Sequence, residues 1–471
     1  MRTRAMNFTR GGIALTLLFA TGCVVGPNYK RPVVKTPEVF RGAAPGADQE
    51  SLGDKKWAEL FQDEVLKQDI ETALKNNFDL AIATERVEEA RARYRITGAS
   101  RFPFLNATAG FTATRSSTIG SNKMAQPGAD MDVSYTQAGG ALSWELDLWG
   151  KLRRQNEAAR AQYLATEEAR RGVIVSLVSD VATTYFTLRE RDLELEIARA
   201  TQQIAEQNLK LVKLRHDRGA ATGLAVQQAE QLLYSAQAQI PRAQRDIVQA
   251  EDALNLLMGN MPGDVARGQA VDDFGLPPEV PAGLPSSLLE RRPDIRAAEQ
   301  QLISANAQIG VARAYYFPQI SLTGFLGGQS RALTEIFTGP ARFWTVAPSA
   351  ILPIFNAGQI RVAVKLSEAQ KREMLVNYRK TIYNAFREVS DALAAYDRGR
   401  EQRKQQENLV RAATEAARLS HMRYEGGLDS YLQVLDAERT LFQARLSLAQ
   451  LRLAELQSFV QLYRALGGGW Q

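Results

Sequence analysis

Hydrophobic positions along this chain follow two periods, and each predicts a different element. After Pro103 they alternate. Leu105, Ala107, Ala109, Phe111 and Ala113 share one face, and Asn106, Thr108, Gly110 and Thr112 share the other. That is the period of a strand with one apolar side. After Pro318 the same alternation sets Ile320, Leu322 and Leu326 against Gln319, Ser321 and Thr323. A strand over 131–148 changes phase near Gly139-Gly140, where Leu142, Trp144, Leu146 and Leu148 take over from Val133 and Tyr135. A fourth strand places Trp344, Val346, Leu352 and Ile354 on one face. Elsewhere the spacing is three and four. Ile174, Val178, Val181, Tyr185 and Leu188 form one such series, and Ile382, Phe386, Val389, Leu393 and Tyr396 form another. These series sit in proline-free stretches, Lys151–Asp217 and Gln359–Glu425, whose interior glycines are Gly172 and Gly399. Read as helices, they are each roughly 100 Å long, too long for a compact globular domain. Their apolar stripe is the seam of a coiled coil, and the Arg, Gln, Glu and Ala on the other faces suit water.

The two series belong to a repeat. Phe102-Pro103 recurs as Phe317-Pro318, and Asp79 recurs as Asp294, at an offset of 215. Farther along the offset is 208. Leu214-Arg215-His216-Asp217-Arg218-Gly219 faces Met422-Arg423-Tyr424-Glu425-Gly426-Gly427. Leu224, Val226, Ala229, Glu230 and Leu233 then face Leu432, Val434, Ala437, Glu438 and Leu441. A loop about seven residues shorter in the second copy accounts for the change, and it falls between Gly110 and Asp147 in the first. Each unit reads helix, strand, strand, long helix, shorter helix. The shorter helices, 221–258 and 429–466, would span about 57 Å, and the helices before the strands, 64–100 and 286–316, about 45 to 55 Å. Two such helices end to end match one long one, which suggests a layer of four antiparallel coil strands per chain. The turns at 219–223 and 426–430 lie at the same end.

Composition changes this picture in three places. The 471 residues would ordinarily suggest about three domains, but the repeat makes them one doubled unit. One cysteine and two histidines exclude an internal disulfide framework and a cysteine-rich zinc site. No stretch approaches the roughly 20 apolar residues of a membrane-spanning helix. Arg2, Arg4 and Arg10, the apolar run 13–20 and the small residues Ala20-Thr21-Gly22 before Cys23 follow the order of a secretory signal. Without those arginines the net charge falls from +6 to +3, and no basic cluster interleaved with aromatics suggests nucleic acid. Strands of ten or more residues with one apolar face are the signature of an outer-membrane barrel; a small soluble β-domain is the alternative. Four strands cannot close a barrel, and lipid does not tolerate an open edge. Strands that cross a membrane would therefore have to be shared, eight from two chains or twelve from three.

Several stretches carry a resemblance over nearly the whole mature chain. They are Cys23-Val24-Val25-Gly26-Pro27-Asn28-Tyr29, Arg291-Arg292-Pro293-Asp294-Ile295-Arg296-Ala297-Ala298-Glu299, Tyr316-Phe317-Pro318-Gln319-Ile320, and Arg423-Tyr424 through Tyr431-Leu432 to Leu435-Asp436-Ala437. In order and spacing the chain resembles the outer membrane factors of tripartite efflux, the TolC and OprM type. The resemblance implies an α+β membrane protein. It would be a homotrimer with a single 12-stranded transmembrane β-barrel, four strands per chain, continuous with a long periplasmic α-helical barrel and a mixed equatorial girdle. Cys23 resembles the lipidated cysteine of a bacterial lipobox, with Ala20 where leucine is usual. The implied division is a lipoprotein signal peptide at 1–22 and a lipid-anchored segment wrapping the girdle at 23–62. The first repeat covers 63–260, a Pro-rich linker 261–285, the second repeat 286–466 and a tail 467–471. The implied function is that of a non-enzymatic exit duct. It would pass drugs or other toxic small molecules passively from periplasm to exterior, with a covalent lipid and no other cofactor. Its partners would be a periplasmic adaptor and, through it, an inner-membrane RND transporter. Type I protein secretion or metal-ion efflux on the same scaffold stays open, as does, more remotely, a coiled-coil lipoprotein without a pore.

The resemblance also implies a gate at the periplasmic tip. Asp429 and Asp436 would project acidic rings into the lumen, with Leu432 as an apolar constriction between them. Arg423 and Tyr424 would tie the inner coil to a neighbouring helix. Spacings of three and four would set Asp429, Leu432 and Asp436 on one helix face. Plainer roles fit the same residues: Asp429 as a helix N-cap, Asp436 as a solvated partner of Arg439, Leu432 as coil packing, and Arg423 and Tyr424 as decoration of a helix end. The first repeat has Ala221 and Gln228 in place of Asp429 and Asp436, so acidity belongs to the second repeat alone. The turns with Gly219, Gly223, Gly426 and Gly427 would dock the adaptor. His216 and His421 lie near the tips as surface residues, without an acidic cluster to make a metal site.

Overall fold

A computed structural model describes residues 24–42, 51–115, 117, 132–275 and 280–470. The signal at 1–22 and the expected lipid site at Cys23 lie outside the described residues. The order of elements repeats. Helices α1 (Glu64–Asn76) and α2 (Phe78–Ala99) precede strands β1 (Phe104–Arg115) and β2 (Asp132–Leu146), then α3 (Lys151–Asp217) and α4 (Gly223–Leu257). Helix α5 (Pro293–Ala314) precedes β3 (Gln319–Ser330) and β4 (Arg342–Ile351), then α6 (Gln359–Glu425) and α7 (Tyr431–Ala465). Both α3 and α6 are 67 residues long, and α4 and α7 are 35 each. The chain divides into two compact units, and each draws on both repeats.

Of the described residues, the first unit holds those within 24–32, 88–165 and 299–377. Its four strands form one antiparallel sheet in the order β1-β2-β3-β4. Gly139 of β2 stands opposite Gly327 of β3. The ring of Phe325 lies over this pair so closely that a Cβ on either glycine would meet ring and backbone. It also stacks on Phe343 at 5.0 Å. An aromatic covering facing glycines is how a sheet bends without losing register. Strand β4 stops at Ile351, so the expected Leu352 and Ile354 lie past its end. Pro353 follows, and it has no N–H to continue a ladder. Strands β1 and β4 each have one partner. β1 is exposed along its whole length and β4 at every position but Phe343. Two long edges thus stay unpaired among the described residues.

Residues 24–29 are held at one end of that sheet. The Val25 amide donates to the Trp149 carbonyl at 3.0 Å. Trp149 in turn stacks on Phe317 and donates from Nε1 to the Pro318 carbonyl, just before β3. The buried Arg154 guanidinium donates to the carbonyls of Val25 and Gly26 and to Asn28 Oδ1, and Asn306 donates to the Pro27 carbonyl. Gly26 has φ +101°, and its backbone lies against Gly310 with no room for a Cβ.

The second unit holds residues 33–87, 166–298 and 378–471. The periodic residues form its interior. Val178, Val181, Tyr185 and Leu188 are buried, as are Ile382, Val389, Leu393 and Tyr396. The Asp63 carboxylate caps α1 through the amides of Val65 and Leu66. It also accepts from the Tyr185 hydroxyl at 2.7 Å and the Gln269 amide at 2.8 Å. That network draws the Pro-rich linker onto α3. The spacing predicted unbroken helices over 64–100 and 286–316. Each instead breaks, at Asn77 and at Arg292, where the backbone is extended. These positions correspond in the repeat. Asn77 Nδ2 donates to the Leu257 carbonyl at 2.9 Å, and Arg292 Nη1 donates to the Ala465 carbonyl at 3.1 Å. Leu257 and Ala465 end the two shorter helices, whose last carbonyls lack helical partners. The break in each repeat therefore supplies a donor where a helix end needs one.

Candidate functional site: the two helix tips

The turns between long and shorter helices have one backbone. Gly219 and Gly427 have φ +72° and +73°. The amide after each returns to a carbonyl five residues back: Ala220 to Arg215 at 2.8 Å, and Leu428 to Arg423 at 2.9 Å. This is the left-handed ending in which glycine avoids a Cβ penalty. Gly223 opens α4, and Gly426 continues the turn after α6. Thr222 caps α4 through its side chain, whereas Ser430 at the start of α7 makes no side-chain cap.

The side chains differ. Asp429 lies in the turn ahead of α7, so it is neither the N-cap nor on the helix face of Leu432 and Asp436. It takes Arg423 in a two-pronged ion pair, Nε to Oδ2 at 2.5 Å and Nη2 to Oδ1 at 3.2 Å. The guanidinium holds the Asp429 carboxyl below the usual carboxylate range. Within the chain, then, Arg423 is paired inside its own turn. Leu432 is half exposed, and Asp436 stands exposed on the first turns of α7. Tyr424 is buried against Tyr431, ring centroids 5.4 Å apart and edge to face. Neither hydroxyl has a partner among the described residues.

The tie between repeats comes from a residue the sequence did not single out. Arg215, the counterpart of Arg423, has Ala221 where Arg423 has Asp429. Lacking that acid, it reaches the second repeat. Nη1 donates to the Tyr424 carbonyl at 2.8 Å and Nη2 to the Glu425 carbonyl at 3.0 Å. Its guanidinium lies 4.6 Å from the centre of the Tyr424 ring. A cation over a ring and on the last carbonyls of a helix is favoured three ways: by the ring's quadrupole, by hydrogen bonding and by the helix dipole. Beneath these contacts Val212, Ala229, Leu232, Tyr431, Val434 and Leu435 pack as one apolar cluster. The signal for Arg215 was the missing acid at Ala221, legible only beside its repeat partner. Among the described residues no group of three or more His, Cys, Asp or Glu side chains could hold a metal ion.

Known proteins resemble the chain over nearly its full span. The profile of the family described as "Outer membrane efflux protein" matches residues 70–260 and again 284–468. The chain is 41% identical over 460 residues to the solvent efflux pump outer membrane protein SrpC of Pseudomonas putida, covering 96% of this chain and 97% of that one. It is 38% identical over 464 residues to the cation efflux system protein CusC of Escherichia coli O6:H1, covering 98% of each. The crystal structure of the open state of the Neisseria gonorrhoeae MtrE outer membrane channel superposes with a TM-score of 0.85. It is 32% identical and covers 95% of this chain and 99% of that one. The long helices, the antiparallel sheet and these likenesses together establish that the chain belongs to the outer membrane efflux protein family, the outer-membrane channels of tripartite efflux systems, with a large periplasmic helical part.

Proposed function

We propose that this chain is the exit duct of an RND-type pump for drugs, solvents or other toxic small molecules, closed at rest by its second-repeat tip. The observation that carries the ductlike assembly is the sheet with two open edges. Lipid demands that backbone groups be paired, and three such sheets joined edge to edge make one 12-stranded barrel. The same threefold closure brings three α3–α4 and three α6–α7 pairs around one axis, repeats 63–260 and 286–466 alternating. The turns at Gly219–Gly223 and Gly426–Gly427 then form the rim that meets a periplasmic adaptor. Cys23 carries the lipid. The clamp of Arg154, Asn306 and Trp149 on residues 25–28 supports this, because it fixes the stretch that follows Cys23 beside the end of the sheet.

Gating rests on the tip geometry. Asp436, Leu432 and Asp429, repeated around the axis, give acidic rings about an apolar constriction, and rings of carboxylates attract cations. While Arg423 holds Asp429, that charge is neutralised, and Asp436 supplies most of the field. Opening breaks the Arg423–Asp429 pair and the Arg215 contacts, and lets α6 and α7 move outward. Metal-ion efflux is the second reading, favoured by the likeness to a cation efflux protein at nearly the identity of the solvent-pump relative. Deletion of the gene followed by growth on a panel of dyes, detergents, antibiotics, solvents and metal salts tests both. Sensitivity to organic compounds supports the first reading, and sensitivity confined to metals the second. A planar-bilayer recording without conductance steps would remove the duct.

A further inference from the structure

One pair of positions near the tips is an ion pair in both repeats but of different chemistry. In the first repeat Lys213 on α3 meets Glu230 on α4, Nζ to Oε1 at 2.9 Å. The counterparts at offset 208 are His421 on α6 and Glu438 on α7, Nε2 to Oε1 at 2.7 Å. The second pair is more enclosed: the His421 and Glu438 side chains are 23% and 8% exposed, against 51% and 21% for Lys213 and Glu230. The same long-to-short helix link is thus made by a permanent cation in one repeat and by a titratable ring in the other. Histidine is the side chain whose charge ordinarily changes between about pH 5 and 8.

We infer that His421 and Glu438 form a proton-dependent latch between α6 and α7, beside the gating turn, in a chain whose other tip is latched permanently by Lys213 and Glu230. This rests on the reading of the second-repeat tip as the gate. Protonated His421 gives the enclosed Glu438 carboxylate a charge-assisted partner. The neutral ring leaves that carboxylate with one ordinary hydrogen bond and no counter-charge, which costs more the less water reaches it. The latch is therefore complete at low pH and loosens as pH rises. The other groups that face the pair do not replace the lost charge. On α6 itself Arg418 is turned to Glu415, Arg423 is held by Asp429, Tyr424 is uncharged, and Glu425, one turn past His421, is exposed and carries no positive charge to lend. From α7 comes Tyr431, whose hydroxyl burial and the Glu438 charge keep protonated. From α3 comes Arg215, which is committed to the Tyr424 and Glu425 carbonyls.

Hydrogen exchange on the full assembled protein, corrected for the intrinsic pH dependence of exchange, tests the latch at pH 5.5 and 7.5. Protection of the amides over 424–434 should fall about fivefold between the two values in the natural protein. His421→Lys, which copies the first repeat, should hold protection level across the range. Lys213→His should create a new fall over 217–226 while leaving the second tip unchanged. Equal pH slopes in the natural protein and His421→Lys, or no new slope in Lys213→His, overturn the inference; the latter variant serves if the former does not assemble. Single-channel records of the same samples separate the two layers. Closed dwells should lengthen at pH 5.5. A protection change without any change in dwell time leaves the latch standing and removes the gate assignment instead.

Discussion

The two tips share a backbone and divide the electrostatics. Gly219 and Gly427 end their long helices with one geometry, and Arg215 and Arg423 occupy one position. A single difference, Ala221 against Asp429, sends those arginines to different places. Arg423 stays in its own turn, and Arg215 crosses to cap the helix of the other repeat. Duplication supplied two equal turns; loss or gain of one carboxylate made one of them the holder and the other the held. The proposed gate needs that inequality, because two identical turns would have no reason to move separately.

Experiments can break this inequality in steps. The largest effect is expected from Asp429→Ala combined with Asp436→Ala, which empties both acidic rings. Single-channel conductance should rise about twofold or more and divalent-cation block should disappear; unchanged conductance and block would remove the gate assignment. Arg215→Ala comes next. It takes a charged donor from two carbonyls, about 1–3 kcal/mol of hydrogen bonding, and should raise opening frequency by about tenfold in bilayer records. Ala221→Asp should act in the same direction and more weakly, about threefold, by offering Arg215 the partner that Arg423 already has. A shift toward closure would show that the crossing contact is not what holds the tip. The Arg423–Asp429 pair should be indifferent to pH between 8 and 5. Its carboxyl is held low, so its contribution is present above the ordinary carboxylate value and lost only as pH falls through the lowered one. In His421→Lys, opening frequency should therefore stay level from pH 8 to 5. Smallest of all is the contrast between Gly219→Ala and Gly427→Ala. Both put a Cβ at positive φ, about 1 kcal/mol, and thermal unfolding should shift equally in the two.

Much of the fold was legible because its signals are long. Sixty-seven residues without proline and with apolar positions every three or four fix Lys151–Asp217 and Gln359–Glu425 as helices, whatever surrounds them. The strands were legible as alternation, except where Pro353 ends β4. The breaks at Asn77 and Arg292 do not interrupt the helical stripe, but each carries a local signal: Asn77 caps the next helix by accepting the Leu80 amide at Oδ1, and Arg292 precedes Pro293. What the local signals do not show is that each side chain also donates to a helix end about 180 residues away. The tip shows the same limit. Arg423, Tyr424, Leu432 and Asp436 could be placed near one another, but spacing alone put Asp429 on the helix of Leu432 and Asp436, and the turn removes it from there. Arg215 and Glu438 carry no local pattern and become visible only when each repeat is laid beside the other. The grip of Arg154 on residues 25–28 is of that kind too.

The open edges of β1 and β4 also bear on inheritance. In the proposed ring, a sheet that closes against copies of itself makes every subunit answerable for two seams. A cell with one sound and one edge-damaged gene would not lose half its channels. Most mixed rings would contain at least one bad seam, so the damage would behave as dominant. Selection on the edge residues should accordingly be harsher than their exposure in a single chain suggests.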